Sequence, residues 1–262
     1  MRLGLATFVM TFVVHICPAL EWREDAGALS VFREYGITGA FVLYDVSNNV
    51  FVGSNLERAA RRYIPSSTFK IANTLIGLAS GAVASVDEVL PFVGGADDNP
   101  AWRKNMSLRD AIRISNVPIY RELARRIGGQ AMGEGLRRLC YGNMDIGDRV
   151  DEFWLRGPLA ISAIEQCRFL ASLAVKELPI APEIQTSVRE IIFQRDDDGT
   201  LLFAKTGAAR NSAAWIGWWV GWVEKDGRVY PFAMNMDMPD FDSGLPLRSK
   251  IGEKCLKTLG IL

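Results

Sequence analysis

Residues 201–238 read LLFAKTGAARNSAAWIGWWVGWVEKDGRVYPFAMNMDM, and this stretch decides the fold. Its apolar and aromatic segments predict three strands, at Leu201–Lys205, Ala214–Val223 and Val229–Met238. Asp226-Gly227 is a dipeptide typical of a tight hairpin turn and joins the last two strands. The C-terminal part of the chain is therefore predicted to form antiparallel β-structure.

The N-terminal part also has a β pattern, whereas the middle of the chain has the periodicity of helices. After a short predicted helix at 24–35, residues 37–45 and 50–54 are predicted to be strands joined by a turn at Ser47-Asn48-Asn49. One further helix is predicted from Phe69 to Ala79 with a stop at Gly81, and another begins after the capping serine of Ser107-Leu-Arg-Asp110. The remaining helices are predicted from Pro118 to Gly128-Gly129, from the capping box Ser162-Ala-Ile-Glu165 to Leu178, and at 247–258.

Strands at both ends of the chain with helices between them predict an α+β fold. The two ends are expected to share one antiparallel sheet of about five strands, flanked by helices. The helical region, roughly residues 66–197, would then be an all-helical lobe inserted into the α/β lobe. Clefts between lobes are common places for ligand sites.

Size and composition favour a globular protein over a nucleic-acid or membrane-surface protein. The chain has 262 residues, of which 49% are apolar, enough for a full core in one domain or in two lobes that share one site. Lysine plus arginine equals aspartate plus glutamate, at 30 each. This balance gives no electrostatic reason to expect nucleic acid or an anionic membrane as a partner.

The first residues have the pattern of a signal peptide. Met1-Arg2 precedes an apolar run from Leu3 to Val14, and Ala19 is a small residue near which cleavage is expected. The run is too short to span a bilayer comfortably, although a buried N-terminal helix is an alternative interpretation. We therefore expect residues 1–19 to be a leader, residues 20–262 to form a single domain, and the mature protein to be periplasmic or secreted without a stable membrane anchor.

Loss of the leader also removes the only histidine, His15. A mature chain without histidine cannot use a Ser-His-Asp triad or a histidine-ligated catalytic zinc, so any serine nucleophile needs another base. The cysteines that remain are Cys140, Cys167 and Cys255, and their spacing matches no metal motif. We expect no metal and no structural disulfide, with Cys167 a core thiol.

Ser67-Thr68-Phe69-Lys70 follows Pro65 at the start of a predicted helix. Positions i and i+3 share a helical face, so the lysine amine can approach the serine hydroxyl. Backbone N–H groups at the helix N-terminus are placed to stabilise an oxyanion. Burial would lower the lysine pKa enough for it to act as a base, and candidate walls of such a pocket are Phe69, Ile71, Val117 and Trp154. The alternative is a capped helix with a solvated lysine.

Two further elements have polar side chains where a cleft is expected. Ser115-Asn116-Val117 lies at a helix break before Pro118, so its hydroxyl could face the cleft. Lys205-Thr206-Gly207 ends a predicted strand, where a cation and a hydroxyl suit a substrate carboxylate and glycine allows close approach to the backbone. Taken alone, Ser115 could be a helix cap and Lys205 a surface charge.

Together these motifs resemble those of the penicillin-recognising serine enzymes, and among them the class D, oxacillinase-type β-lactamases. Tyr141-Gly142-Asn143 is the element most particular to that class. Residues 154–162 (WLRGPLAIS) resemble its tryptophan-containing loop, and Trp218-Trp219-Val220-Gly221-Trp222 resembles the strand after Lys205-Thr206-Gly207. The resemblance extends from about residue 25 to the C-terminus, with the motifs in family order.

The resemblance implies a role for each matching residue. Ser67 would attack the lactam carbonyl, and Lys70, carboxylated by carbon dioxide to a carbamate, would be the general base for acylation and deacylation. Trp154 would hold the carbamate, Val117 would keep its pocket dry, and Ser115 would relay a proton to the leaving nitrogen. Lys205, Thr206 and Arg248 would bind the substrate carboxylate, with Gly207 beside them. The backbone N–H groups of Ser67 and Ala208 would form the oxyanion hole, and Tyr141 and Asn143 would support the site.

The implied activity is hydrolysis of penicillins and related antibiotics, which confers resistance. The substrate is a small-molecule β-lactam, no cofactor is required besides carbon dioxide on Lys70, and the protein is expected to be a monomer or a homodimer. Ala208 departs from the family, because many relatives carry a bulky aromatic residue there, so the substrate pocket is expected to be more open.

Three other interpretations share part of the pattern. A penicillin-binding D,D-peptidase shares the Ser67 and Lys205 motifs but deacylates very slowly; the Tyr141 element and the tryptophan loop favour the lactamase. A β-lactam sensor stays acylated and lies behind a membrane-spanning segment, whereas only a cleavable leader is predicted here. A non-catalytic interaction domain would require Ser67, Lys70, Ser115 and Lys205 to coincide by chance.

Overall fold

The computed structural model describes residues 21–96, 98–210 and 214–262. The predicted signal peptide lies outside the described residues, as do Asp97 and residues 211–213. The described chain is a mixed α+β structure in which helices flank a sheet, which confirms the predicted fold class.

The strands are short near the N-terminus and long near the C-terminus. They are β1 Glu21–Glu24, β2 Gly39–Asp45, β3 Val50–Ser54, β4 Val89–Leu90, β5 Met106–Ser107, β6 Phe193–Asp197, β7 Thr200–Arg210, β8 Trp215–Lys225 and β9 Arg228–Met238. The helices are α1 Ala26–Glu34, α2 Leu56–Ala60, α3 Lys70–Ala79, α4 Leu108–Arg113, α5 Val117–Arg138, α6 Phe153–Arg156, α7 Ala163–Ala174, α8 Pro182–Ile192 and α9 Phe241–Thr258, with 3₁₀ turns at Ser66–Phe69 and Pro100–Trp102.

Within the described residues, the main sheet has seven strands in the order β1-β3-β2-β9-β8-β7-β6, and β4 pairs separately with β5. Among these described strands, β1 and β3 pair in parallel and the other neighbouring pairs are antiparallel. The two ends of the chain meet where β2 pairs with β9, as predicted. The expected number of about five strands was too low, because the edge strands β1 (EWRE) and β6 (FQRDD) are polar and largely exposed and lack an apolar alternation.

Strand β8 supplies side chains to cores on both faces of the sheet. Trp218, Val220 and Trp222 pack into the larger core with the helical region, whereas Trp219 and Val223 pack into the core beneath α1 and α9. Since successive strand residues point to opposite faces, an unbroken apolar run in β8 follows from its being covered on both sides. The turn predicted after β8 is present, with Asp226 and Gly227 at φ 51° and 72°.

Several helix boundaries differ from the sequence prediction. The predicted stop at Gly128-Gly129 is present, because Gly128 adopts a non-helical φ of 74° and ψ of 163° and interrupts α5, but a second helical segment that was not predicted then continues to Arg138. Helix α7 ends at Ala174 rather than Leu178, and its predicted capping box between Ser162 and Glu165 is present. Helix α9 begins at Phe241 instead of residue 247, capped by Asp240. Helix α8 was not predicted.

None of the helices within the described ranges is both long and apolar enough to cross a membrane. The thiols of Cys140, Cys167 and Cys255 are free, and Cys167 is buried in the larger core as expected.

Candidate active site

Ser67 lies in the 3₁₀ turn that leads directly into helix α3, whose first residue is Lys70. The Nζ atom of Lys70 donates a hydrogen bond to Oγ of Ser67 at 2.8 Å. The lysine is completely buried, whereas Ser67 keeps 9% of its surface exposed. The i, i+3 spacing therefore produces the predicted contact, and the hydroxyl lies at the edge of a closed compartment that contains the amine.

The environment of Lys70 favours its neutral form. Burial lowers the pKa of Lys70 well below its ordinary value of 10.5, and the positive charge of Lys205 lowers it further. A buried ammonium loses its hydration, so the neutral amine gains population near neutral pH. An amine in this state can accept a proton from a neighbouring hydroxyl group.

Buried aromatic rings lie beside Lys70 and beside the neighbouring Phe69. The Tyr120 ring centroid lies 5.2 Å from Nζ of Lys70, and the Phe69 ring centroid lies 5.4 Å from that of Trp154 and 5.1 Å from that of Phe153. The sequence analysis did not single out Tyr120 or Phe153. Tyr120 follows Val117 by three residues on α5, so helical periodicity could have placed it on the same face as that predicted wall residue. Val117 itself is half-buried, and Ile71 is fully buried.

Trp154 brings an unsatisfied hydrogen-bond donor into this apolar region. Its side chain is fully buried, and its Nε1 has no hydrogen-bond partner among the described residues. Buried polar atoms are nearly always paired, so an orphaned indole N–H indicates a place for an acceptor. A carboxylate-like group on the neutral Lys70 amine fits this donor chemically.

A buried carboxylate at the start of helix α6 holds the segment that carries Trp154. Glu152 precedes the helix and forms ion pairs with Arg121 of α5 at 2.9 Å and with Arg149 at 2.8 Å. Its side chain is only 10% exposed. The sequence analysis missed this anchor, since no local pattern connects Arg121 with a residue 31 positions away.

Ser115 and Lys205 meet across the cleft. Ser115 adopts φ 57° between helices α4 and α5, and Asn116 caps α5 by accepting a hydrogen bond from the backbone N–H of Ile119. The Nζ atom of Lys205 donates to Oγ of Ser115 at 2.5 Å. Burial lowers the pKa of Lys205 to about 7, with a further contribution from the charge of Arg248. Both motif residues therefore face the same place, although they are far apart in sequence.

Arg248 reaches the same edge of the sheet from helix α9. Its Nη1 donates to the backbone oxygen of Gly207 at 2.9 Å, and burial lowers its pKa to about 10. Gly207 lies so close to the nucleophile turn that an added Cβ would be 3.0 Å from the Pro65 oxygen and 3.1 Å from Cγ2 of Thr68. Glycine is needed here because the strand and the turn approach each other through their backbones.

Ser66 joins the nucleophile turn to strand β7. It is buried, adopts φ 50°, and donates a short hydrogen bond from its hydroxyl to the backbone oxygen of Ala208. This link fixes the turn that carries Ser67 relative to the strand that carries Ala208. The sequence analysis did not identify Ser66.

The Tyr141-Gly142-Asn143 element braces the loop that follows α6. The Asn143 side chain donates to the Pro158 oxygen and accepts from the Ala160 N–H, both at 2.9 Å. The Tyr141 hydroxyl accepts from Nε2 of Gln166 at 3.2 Å. The same Gln166 nitrogen lies 3.0 Å from Oγ1 of Thr68, so the element connects with the nucleophile turn.

Ala208, which the sequence analysis connected with the substrate pocket, is half-buried, as are Trp102 and Leu155. Trp102 donates from its indole to the Ile114 oxygen at 3.0 Å.

Comparison with known proteins gives a consistent set of relatives. Residues 39–257 match the transpeptidase family, described as the penicillin binding protein transpeptidase domain. The chain is 40% identical to β-lactamase OXA-5 of Pseudomonas aeruginosa, covering 93% of this chain and 90% of that protein. It is 38% identical to β-lactamase OXA-48 of Klebsiella pneumoniae, covering 96% of this chain and 95% of that protein. The crystal structure of FUS-1 (OXA-85), a class D β-lactamase from Fusobacterium nucleatum subsp. polymorphum, matches with a TM-score of 0.87 and 41% identity, covering 92% of this chain and all of that one.

Proposed function

The chain belongs to the class D serine β-lactamases, and we propose that it opens the β-lactam ring through an acyl-enzyme on Ser67 with Lys70 as general base. The observation that carries the proposal is the 2.8 Å contact between Lys70 Nζ and Ser67 Oγ inside a fully buried compartment. Hydrolysis of penicillins and related antibiotics in this way confers resistance.

Acylation begins with transfer of the Ser67 hydroxyl proton to the base as Oγ attacks the lactam carbonyl carbon. The carbonyl oxygen becomes an oxyanion, for which the backbone N–H groups of Ser67 and Ala208 are the proposed donors. The C–N bond then breaks, and the ring nitrogen takes a proton from Ser115. The 2.5 Å contact with Lys205 supports this role, because that amine can reprotonate Ser115 and then regain, through solvent, the proton that the base took from Ser67.

The substrate carboxylate is proposed to bind at Lys205, Thr206 and Arg248. Two cations lie on or beside the exposed edge of β7, and charge-assisted hydrogen bonds to a carboxylate are stronger than neutral ones. Arg248 is held in place through the Gly207 oxygen, so the edge and the guanidinium act as one preformed surface. Gly207 leaves the backbone accessible there.

We propose that Lys70 carries a carbamate in the active protein. Carbon dioxide adds to the neutral amine with loss of one proton, and the product supplies a carboxylate-like base for both acylation and deacylation. The lowered pKa of Lys70 supports this reaction, since only an unprotonated amine attacks carbon dioxide. The unpartnered N–H of Trp154 is the proposed hydrogen-bond donor to the modified side chain, and Val117 and the surrounding rings exclude water.

Location and organisation follow from the sequence pattern. We propose that residues 1–19 are removed near Ala19 and that the mature protein acts in the periplasm or outside the cell. Residues 20–262 would form a single catalytic domain with the 66–197 region as its helical lobe, active as a monomer or homodimer. The cleft between the sheet edge and the helices then takes a small-molecule β-lactam.

The proposal is tested by steady-state hydrolysis of a chromogenic cephalosporin, with and without added bicarbonate. We expect multiple turnovers whose rate rises with bicarbonate in the wild-type protein, and loss of turnover with the fold retained in Lys70→Ala. A single burst equal to the enzyme concentration in both conditions would contradict the deacylation step and point to a penicillin-binding protein. Unchanged turnover in Lys70→Ala would contradict the assignment of the base.

A further inference from the structure

A cavity of about 460 Å³ opens beside Lys205 and Thr206. It extends between the end of helix α4, the junction of α8 with β6, and the edge of β7. Ile112, Trp219 and Phe193 give it apolar walls. Lys205 lines this cavity and also donates to Ser115, so one side chain borders both the cavity and the proposed catalytic cleft.

The cavity lies where the edge strand β6 stops pairing with β7. Pairing of β6 with β7 is irregular between Phe193 and Arg195, and the paired register ends at Phe203. Gln194 lies at this irregularity, and its side-chain amide donates to the Ala204 oxygen at 3.2 Å and to the Ile192 oxygen at 3.0 Å. The side chain thus fixes the floor where β7 loses its partner, and the rest of the β7 edge stays open to a ligand.

The lining carries positive charge without a compensating carboxylate. Arg113 and Lys205 both border the cavity, and none of the described residues that line it is acidic. Arg113 is exposed and makes no ion pair within the described part of the chain, whereas Arg109, one turn earlier on α4, pairs with Asp87 at 2.7 Å. An anion with an apolar body would therefore find complementary charge and surface here.

We propose that this cavity is a subsite for an acidic substituent on the leaving side of the β-lactam, with Arg113 as the residue that selects for it. The inference rests on the proposed function. In a cephalosporin, the ring carbon that bears the carboxylate is bonded directly to the carbon that bears the leaving-side substituent. A carboxylate held at Lys205 and Thr206 therefore places that substituent at the mouth of the cavity, within reach of the Arg113 guanidinium.

The experiment compares two cephalosporins that share the same acylamino side chain. One carries a neutral acetoxymethyl group on the leaving-side carbon, and the other carries a substituent ending in a carboxylate. The quantity measured is the ratio of kcat/KM for the acidic substrate to kcat/KM for the neutral one, in wild type, Arg113→Gln and Arg113→Lys. Arg138→Gln, which removes an exposed arginine from the C-terminal turn of α5, is the matched control.

We expect Arg113→Gln to lower this ratio about threefold, the size of effect typical of an exposed charge pair. Arg113→Lys is expected to keep most of the ratio, Arg138→Gln to leave it unchanged, and added salt to reduce it in wild type but not in Arg113→Gln. Hydrolysis of both substrates with the same ratio in wild type and Arg113→Gln would overturn the subsite and leave the lactamase proposal intact. Hydrolysis of neither substrate by wild type would overturn the proposed function, and the subsite with it.

Discussion

At the scale of single residues, the site depends on two lysines whose burial changes their chemistry. Lys70 is fully buried and Lys205 is 7% exposed, and desolvation is the main cause of the lowered pKa of each. The same physical effect serves opposite roles. The Lys70 amine must be neutral to react with carbon dioxide, whereas the proposed carboxylate ligand, Lys205, must be charged. The pKa of Lys205, lowered to about 7, keeps part of its charge at neutral pH.

The lowered pKa of Lys205 predicts a pH dependence for substrate capture. Because the pKa of Lys205 in the free enzyme is about 7, its charge is lost as the pH rises through that value, and kcat/KM is expected to fall above it. The Lys205→Arg variant keeps a cation above pH 7, so its kcat/KM is expected to decline only at a higher pH. Measurement of kcat/KM from pH 5 to 10 in both proteins tests this. A decline with the same midpoint in both would assign it to another group.

Trp154 provides a residue-scale test of the carbamate. Trp154→Phe keeps an aromatic ring in the compartment but removes the unpartnered Nε1–H. A hydrogen bond to a charged acceptor contributes ~1.5–3 kcal/mol, so the bicarbonate concentration for half-maximal turnover is expected to rise roughly tenfold or more. Trp222→Phe is the control, since the Trp222 N–H bonds to Glu224 at 2.9 Å, away from the site. Equal bicarbonate dependence in wild type and Trp154→Phe would contradict the role.

At the scale of elements, the site is assembled where the 3₁₀ turn before α3 meets strand β7. The Gly207 backbone approaches the turn closely, and the Ser66 hydroxyl bonds to the Ala208 oxygen. Arg248 holds the neighbouring Gly207 oxygen from α9. The two proposed oxyanion donors, on Ser67 and Ala208, therefore belong to different elements whose separation is set by side-chain bonds.

We expect Ser66→Ala to lower kcat about threefold to tenfold with little change in KM, because a neutral hydrogen bond contributes ~0.5–1.5 kcal/mol and this one positions the oxyanion donors. Ser66→Gly removes the same hydroxyl, but glycine tolerates φ 50° without strain, so this variant separates the loss of the hydrogen bond from the effect of backbone strain. Comparable losses in both variants would assign the effect to the hydroxyl. Wild-type kcat in Ser66→Ala would contradict the positioning role.

At the scale of the whole molecule, the site lowers stability to make catalysis possible. The folded compartment disfavours protonation of Lys70, whereas the unfolded chain binds that proton below the ordinary pKa of 10.5. Unfolding therefore takes up a proton at neutral pH, so this lysine lowers the free energy of unfolding there. The penalty shrinks as the pH rises toward 10.5.

Replacement of Lys70 by methionine keeps a long side chain and removes this penalty. In bicarbonate-free buffer at pH 7, Lys70→Met is expected to be more stable than wild type by about 1–2 kcal/mol. That corresponds to a rise in the thermal midpoint of roughly 2–8 °C, and the difference should decrease at higher pH. Lys257→Met, at an exposed position on α9, is the control and is expected to change little. A lower midpoint in Lys70→Met would show that the lysine stabilises the fold.

The sequence by itself determined the features that depend on local patterns. Apolar and aromatic segments predicted strands β7–β9, Asp226-Gly227 predicted the hairpin turn, and the three-residue spacing of Ser67 and Lys70 predicted their contact. Motif order also predicted the family. Polar edge strands β1 and β6 were missed, because their pairing with a neighbour, rather than their own composition, makes them strands.

Only the tertiary structure decided the features that join distant residues. Ser66 meets Ala208 across 142 positions, Lys205 meets Ser115 across 90, and Glu152 meets Arg121 across 31. No periodicity links such pairs, since each contact exists only after the sheet and the helices have packed. The burial that lowers the pKa of Lys70 has the same origin, because desolvation requires neighbours from several elements. Local spacing therefore indicated the proposed reacting groups, and packing set their protonation and their distances.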